Sequence, residues 1–119
     1  MGETPGAAPV MIEQVGTSVV ARPQVKLMDE ATCKALRKSV DETAGGGGAG
    51  ATLVVLDLSK VAILPSLALG RLVELANACK ARNQTLKLAG LQPQIRKVLA
   101  VTRLDTVFPI ADSVEAAIG

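Results

Sequence analysis

The sequence predicts an α/β fold, a mixed sheet with a parallel centre packed by helices, and three observations carry that prediction. Residues 53–58 (LVVLDL) are an almost unbroken apolar run interrupted by one acid, Asp57. Such a run reads as a strand buried on both faces, as in the middle of a parallel sheet. A helical pattern then opens near Ser66. Leu69, Leu72, Val73, Ala76 and Cys79 recur at three- and four-residue spacing, with Arg71, Glu74, Asn77 and Lys80 on the other side. Third, strand and helix signals alternate along the rest of the chain, an order that builds parallel strands joined by right-handed crossovers. In such sheets the loop beyond the carboxyl end of a central strand is the usual working site, here residues 59–66.

In chain order, residues 1–9 (MGETPGAAP) are small and carry two prolines, the composition of a frayed, flexible tail ahead of a domain spanning 10–119. Residues 11–15 and 18–22 read as strands around a turn at Gly16 and Thr17, predicting a hairpin. Pro23 lacks a ladder donor, so the second strand ends there or runs along an edge. A helix is expected from Asp29, whose carboxylate and that of Glu30 suit its positive end. Cys33, Leu36, Val40 and Thr43 trace its inner face, and Lys34, Arg37, Lys38, Asp41 and Glu42 lie outside.

Residues 45–50 (GGGGAG) stop that helix. A glycine-rich phosphate loop follows a strand and opens a helix, with a lysine at a fixed offset. This stretch follows a helix, precedes a strand and carries no lysine, so it reads as a connector. Beyond the central strand and helix, Asn83 and Gln84 turn into a strand at 86–88 that ends at Gly90. Pro93 fits the first turn of another helix, where its missing N–H is no loss, with Ile95, Val98, Leu99 and Thr102 inward. Residues 107–110 read as a short edge strand tolerant of Pro109. Asp112, Ser113, Val114 and Glu115 resemble a capping arrangement for a last helix.

Composition narrows the function. At 119 residues the chain is one domain by length. Hydrophobic residues make up 49% but aromatic ones only 1%, so the core must be built from Leu, Val, Ile and Ala. The 13 basic and 11 acidic residues are scattered, with no basic block and almost no ring on which a base could stack. Nucleic-acid binding is therefore disfavoured. No apolar run reaches the ~18 residues needed to span a bilayer. No signal-peptide pattern opens the chain, and a cytoplasmic protein is the expectation. Cys33 and Cys79 fall on inward helix faces and read as small buried hydrophobes rather than as a disulfide. Without histidine or clustered cysteines, zinc sites and Ser-His-Asp or Cys-His catalysis lack their parts. No cofactor, metal or catalytic residue is expected, and the chain reads as a non-enzyme.

The strings VVLDLS (54–59), PSLALGRLVELANACKARNQTLKLAGL (65–91) and QIRKVLAVTRLDTVFPIADSVEAA (94–117) resemble the STAS domain, typified by bacterial anti-sigma factor antagonists. The family pattern is a strand ending in Asp-Leu-Ser, then Asp-Ser-Ser-Gly-Leu-Gly opening a helix. A Leu-x-Leu strand follows, then a Val-x-x-Val-Leu-x-x-Thr helix and Leu-Asp-x-x-Phe. The segment from Val98 and Leu99 through Thr102, Leu104 and Asp105 to Phe108 and Ile110 is the most specific part. The resemblance implies a STAS-like fold of four or five strands and about four helices, working in transcription regulation by docking rather than by catalysis. In the antagonists a serine at the start of the helix after the central strand is phosphorylated by a partner anti-sigma kinase. The unphosphorylated protein binds that partner and so frees a sigma factor. A phosphate there meets free amides and a favourable dipole. It also places about two negative charges in the middle of a docking surface.

At that switch the sequence departs from the pattern. Setting Leu69 and Gly70 on the motif's Leu-Gly puts Pro65 at its Asp, Ser66 at its first Ser, Leu67 at the phosphorylated serine and Ala68 at its Gly. Leucine has no hydroxyl, so the usual switch cannot operate at Leu67, while Asp57 and Ser59 match Asp-Leu-Ser. Ser66 has three readings: a helix N-cap worth ~1 kcal/mol, a displaced phosphoacceptor, or a surface hydroxyl without a role. Asp57 either orders the following loop or contacts a partner or ligand. Leu64, Leu67 and Ala68, beside Arg71, either form an apolar, mildly basic lip of the kind that marks interaction sites or tuck into the core.

The docking surface implied is Asp57, Ser59, Leu64, Pro65, Ser66, Leu67, Ala68, Gly70 and Arg71, and the partner implied is an anti-sigma factor or regulatory kinase. Two alternatives stay open. One is a nucleotide- or lipid-sensing module with its ligand at the strand-end loop. The other is a scaffold or oligomerising component of a stress-signalling complex, as a homodimer through the lip or the edge strand near Val107.

Overall fold

The structure is a computed structural model that describes residues 10–44 and 51–118. The expectations for a tail at 1–9 and a connector at 45–50 lie outside the described residues. The first elements among the described residues form a hairpin. β1 (Val10–Val15) and β2 (Ser18–Pro23) pair antiparallel without a break, from Val10 against Pro23 to Val15 against Ser18. Gly16, at the first centre of the two-residue turn, has φ of 60°, a left-handed value that a side chain would occupy only with strain. Then follow α1 (Glu30–Ala44), β3 (Leu53–Asp57), α2 (Ser66–Ala81), β4 (Thr85–Ala89), α3 (Pro93–Val101), a 3-10 turn at Leu104–Thr106, β5 (Ile110–Ala111) and α4 (Val114–Ile118). Sheet order repeats chain order, β1-β2-β3-β4-β5, with every pairing after the first parallel.

β3 lies at the centre, and its alternating side chains enter two different packed layers. Val54 and Leu56 join Val19, Ala21, Leu86 and Leu88 under α1, α2 and α3. Val55 points the other way with Val20 and Ala89, against Ala117 of α4. The unbroken apolar run is thereby explained: removing water from both faces leaves no position for a polar side chain until Asp57 at the strand end. β2 is equally buried and sits between β1 and β3, so Pro23 ends a strand inside the sheet rather than at an edge. The β2–β3 ladder stops at Ala21 and Leu56, two residues before the proline, and no bond is lost to its missing N–H.

Helix α1 is capped by Asp29, whose Oδ1 accepts the Thr32 amide at 2.8 Å; the Thr32 hydroxyl first, and then this amide, hold the carboxyl below its ordinary range. Cys33, Leu36 and Val40 are buried on its inner face as their spacing requires. Arg82, just past α2, reaches back at 2.5 Å to Asp41, which also holds Arg37 at 3.0 Å. Burial alone would raise the Asp41 carboxyl, but the two guanidinium groups outweigh it and lower it. At the chain's end Ser113 Oγ accepts the Ala116 amide at 3.0 Å, so the expected cap forms.

The edge strand expected at 107–110 is displaced. Arg103 turns left-handed, and the amides of Val107 and Phe108 bond to the Leu104 carbonyl at 2.9 and 3.1 Å. Their donors are consumed locally, Phe108 drops into the core, and the strand begins only at Ile110.

Candidate functional site

The carboxyl end of β3 is held from three sides. Asp57 Oδ1 accepts the Ser59 amide at 3.0 Å, an Asx turn that bends the chain out of the strand. Asp57 Oδ2 lies 3.3 Å from Arg22 Nε, and Arg22 Nη1 reaches Glu13 at 2.6 Å, so a charge chain crosses β1, β2 and β3. The Glu13 bond is the main reason the guanidinium pKa is raised, ahead of the opposing effect of burial and the contribution of Asp57. From the β4 side, Gln92 Nε2 donates to the Ser59 carbonyl at 2.9 Å. Asp57 is thus a loop-ordering residue with its oxygens engaged, the first of its two readings.

Gly90 completes this corner. Its φ is +68°, and a Cβ there would lie 3.0 Å from Asp57 Oδ1 and 3.3 Å from Ser59 Cβ. Gly16 has a similar φ but open space above it, which makes it a matched control. Gly90→Ala is expected to cost about 2 kcal/mol in urea unfolding, and Gly16→Ala about 1, the backbone strain alone. Equal losses at the two sites would show that the Asp57 approach carries no energy.

The loop from Ser59 to α2 is docked rather than free. The amides of Ala62 and Ile63 bond to the Lys26 carbonyl at 2.8 and 2.9 Å, and Met28 N donates to Ile63 O at 3.1 Å. Leu27 and Ile63 become parallel bridge partners. Val61 and Leu64 face the core, whereas Leu27 and Ile63 stay about half exposed. Lys60 Nζ adds a bond to Gln24 Oε1 at 2.7 Å.

Helix α2 starts one residue earlier than an N-cap at Ser66 requires. Pro65 is the cap residue, its carbonyl accepting the Leu69 amide at 3.0 Å, and no side chain caps the helix. Ser66 is therefore the first helical residue, exposed, and the N-cap reading is corrected: proline's fixed φ and carbonyl already open the helix. Leu64 and Ala68 are corrected too, being buried at 7% and 0% exposure. Leu64 and Leu69 occupy the two positions of a hydrophobic staple, one before the cap and one four residues into the helix, and both join the core. Leu67 remains 49% exposed, and Gly70 is open above its Cα. Arg71 does not make the lip basic, because Glu30 at 3.7 Å and Glu74 at 3.2 Å match its charge.

Of the expected docking residues, Asp57, Ser59, Pro65, Ser66, Leu67, Gly70 and Arg71 thus gather around one loop and helix start. Leu27, Ile63, Arg22, Gln92 and Gly90 join them without a sequence signal strong enough to nominate them, except that an isolated glycine at a strand end marks a close approach. A groove of about 500 Å³ runs between α1 and α2, floored by Cys33, Leu36, Leu72 and Leu75. A smaller one of about 270 Å³ lies along α3 at Val98 and Val101. Neither is lined by Asp57, Ser59 or Ser66, where a strand-end ligand was expected. Both cysteines are free, and burial raises both thiols. Among the described residues no helix is long and apolar enough to cross a membrane.

Among curated proteins, the chain is similar to a STAS-domain containing protein of Pseudomonas aeruginosa, at 35% identity over 57 residues, 48% of this chain and 56% of that protein. The match thus spans little more than half the length of that relative. Among solved structures, an anti-sigma-factor antagonist (STAS) domain protein from Planctomyces limnophilus superposes with a TM-score of 0.77 at 22% identity, covering 95% of this chain and 97% of the other. The anti-sigma factor antagonist SpoIIAA in its unphosphorylated form gives 0.72 at 21% identity, covering 90% and 91%. At these identities the likeness speaks for the fold. The model of the STAS domain family matches residues 10–117, with the β3 strand end, its docked loop and the α2 start inside it, and the chain belongs to that family.

Proposed function

We propose that this chain is a cytoplasmic, non-enzymatic regulatory module, a domain over 10–119, that docks an anti-sigma factor or related regulatory kinase through the loop and helix start after β3. It does so without the phosphoserine switch of the antagonists. The observation that carries the reading is Leu67: half exposed at the second position of α2, beside a loop whose bridge leaves Ile63 and Leu27 half exposed. An apolar group where the family places a phosphorylated hydroxyl supports a permanently receptive surface. Gly70 adds support. An exposed glycine inside a helix costs about 1 kcal/mol relative to alanine, and open space above it leaves room for close approach of a partner backbone.

Incubation with a cognate anti-sigma kinase and ATP, followed by intact mass measurement, tests the missing switch. The expected product is the unmodified chain mass, with binding of the kinase retained. Stoichiometric phosphate on Ser66 would instead make that hydroxyl the acceptor. Phosphate on any other residue would overturn the alignment of the motif.

A further inference from the structure

The two edges of the sheet are finished differently. β5 contributes two residues behind Pro109 and offers a foreign strand little to pair with. β1 is six residues long (VMIEQV), has no lysine, proline or bulge, and pairs one to one with β2. The two-residue turn makes Val15 and Ser18 its closing hydrogen-bonded pair. Alternation along the ladder then aims the backbone groups of Met11, Glu13 and Val15 at β2, and those of Val10, Ile12 and Gln14 away from it. Among the described residues no strand lies beyond β1. Outward donors and acceptors at this spacing fit one kind of partner, an extended strand.

We propose that β1 pairs with β1 of a second copy of this chain, antiparallel about a two-fold axis at Ile12, joining two sheets into one. A two-fold axis normal to the sheet sets residues of equal parity opposite each other. The central registers therefore place either Ile12 or Glu13 against its own copy. Glu13 against Glu13 sets two carboxylates face to face, which cross-strand neighbours disfavour. Ile12 against Ile12 sets Glu13 opposite Met11 of the second copy, one strand away from that copy's Arg22, the cation type Glu13 already holds. The same register brings the outward backbone groups together as complete pairs, Ile12 with Ile12 and Val10 with Gln14. It also covers Met11, which is 58% exposed in the single chain. The strand is thus complementary to itself in charge, in backbone parity and in length, which favours a second copy over an unrelated strand.

Sedimentation equilibrium from micromolar to millimolar concentration, with amide hydrogen exchange over the same range, tests the pairing. Wild type is expected to reach a species of twice the 12.2 kDa chain mass. Exchange at Ile12 and Gln14 is expected to slow as concentration rises, while exchange at Met11 and Val15 does not change. Gln14→Pro removes an outward amide from each copy and leaves the β1–β2 bonds in place, so it is expected to weaken the dimer at least tenfold; Gln14→Ala is expected to keep it. A chain that stays monomeric at millimolar concentration overturns the proposal. So does a dimer in which Ile12 and Gln14 exchange is independent of concentration, a result that stands whether or not the proline variant folds.

Discussion

Leu67→Asp is expected to weaken binding of a cognate anti-sigma factor at least about a hundredfold, close to 3 kcal/mol, while leaving thermal stability almost unchanged. The two halves have separate causes. Leu67 is the second residue of α2 and half exposed, so the domain loses little buried apolar area with it. A carboxylate in the first turn also faces the positive end of the helix, which offsets part of that loss. In a complex, the same carboxylate would be taken out of water against a surface that accommodates leucine, and an unpaired buried charge costs several times what a lost methyl does. Leu67→Ala removes the apolar contact without adding charge and is expected to cost only about tenfold. Calorimetric titration of the three proteins separates these contributions. Wild-type affinity in Leu67→Asp would place the docking surface away from this helix start.

The largest effect on folding is expected from Phe108→Ala, a loss of about 3–5 kcal/mol in urea unfolding. Phe108 is the chain's one aromatic residue and is 1% exposed, packed in the layer under the three longer helices. It sits between a 3-10 turn and a two-residue strand, both short of regular hydrogen bonds of their own. The ring therefore holds the C-terminal section down, and the aliphatic side chains around it are already fixed by the helices and sheet they belong to. They cannot close a ring-sized void, and the cavity penalty adds to the transfer penalty. A loss below about 1 kcal/mol would mean that the 104–111 segment is not anchored by this ring.

The element pattern was legible because each helix buries one face with its own period and the central strands bury both. The β3 run, the α2 stripe and the caps at Asp29 and Ser113 follow from periods and side-chain chemistry local to each element. What sequence reading misplaced depends on contacts between distant segments or on which of two adjacent groups opens a helix. The spacing at 65–66 fits either Pro65 or Ser66 as cap, and only the carbonyl bond to Leu69 decides it. The spacing at Leu64 and Ala68 fits either a lip or the core, and the packing puts both in the core. Leu27 enters the site through a bridge to Ile63, a pairing with no periodicity to announce it. The strand at 107–110 failed for a related reason: β propensity cannot anticipate that a preceding turn has already taken the amides.

The coincidence of sheet order with chain order bears on how the domain is made. Each strand finds its neighbour in the segment synthesised just before it, so the hairpin can form first and every later strand–helix unit add to an existing edge as the nascent chain lengthens. Keeping partners close along the chain limits loop-closure entropy and favours rapid assembly for a largely parallel sheet. The exception is the layer closed by α4: Val20 and Val55 wait for Ala117, in the last of the described elements, so that face leaves water after the others.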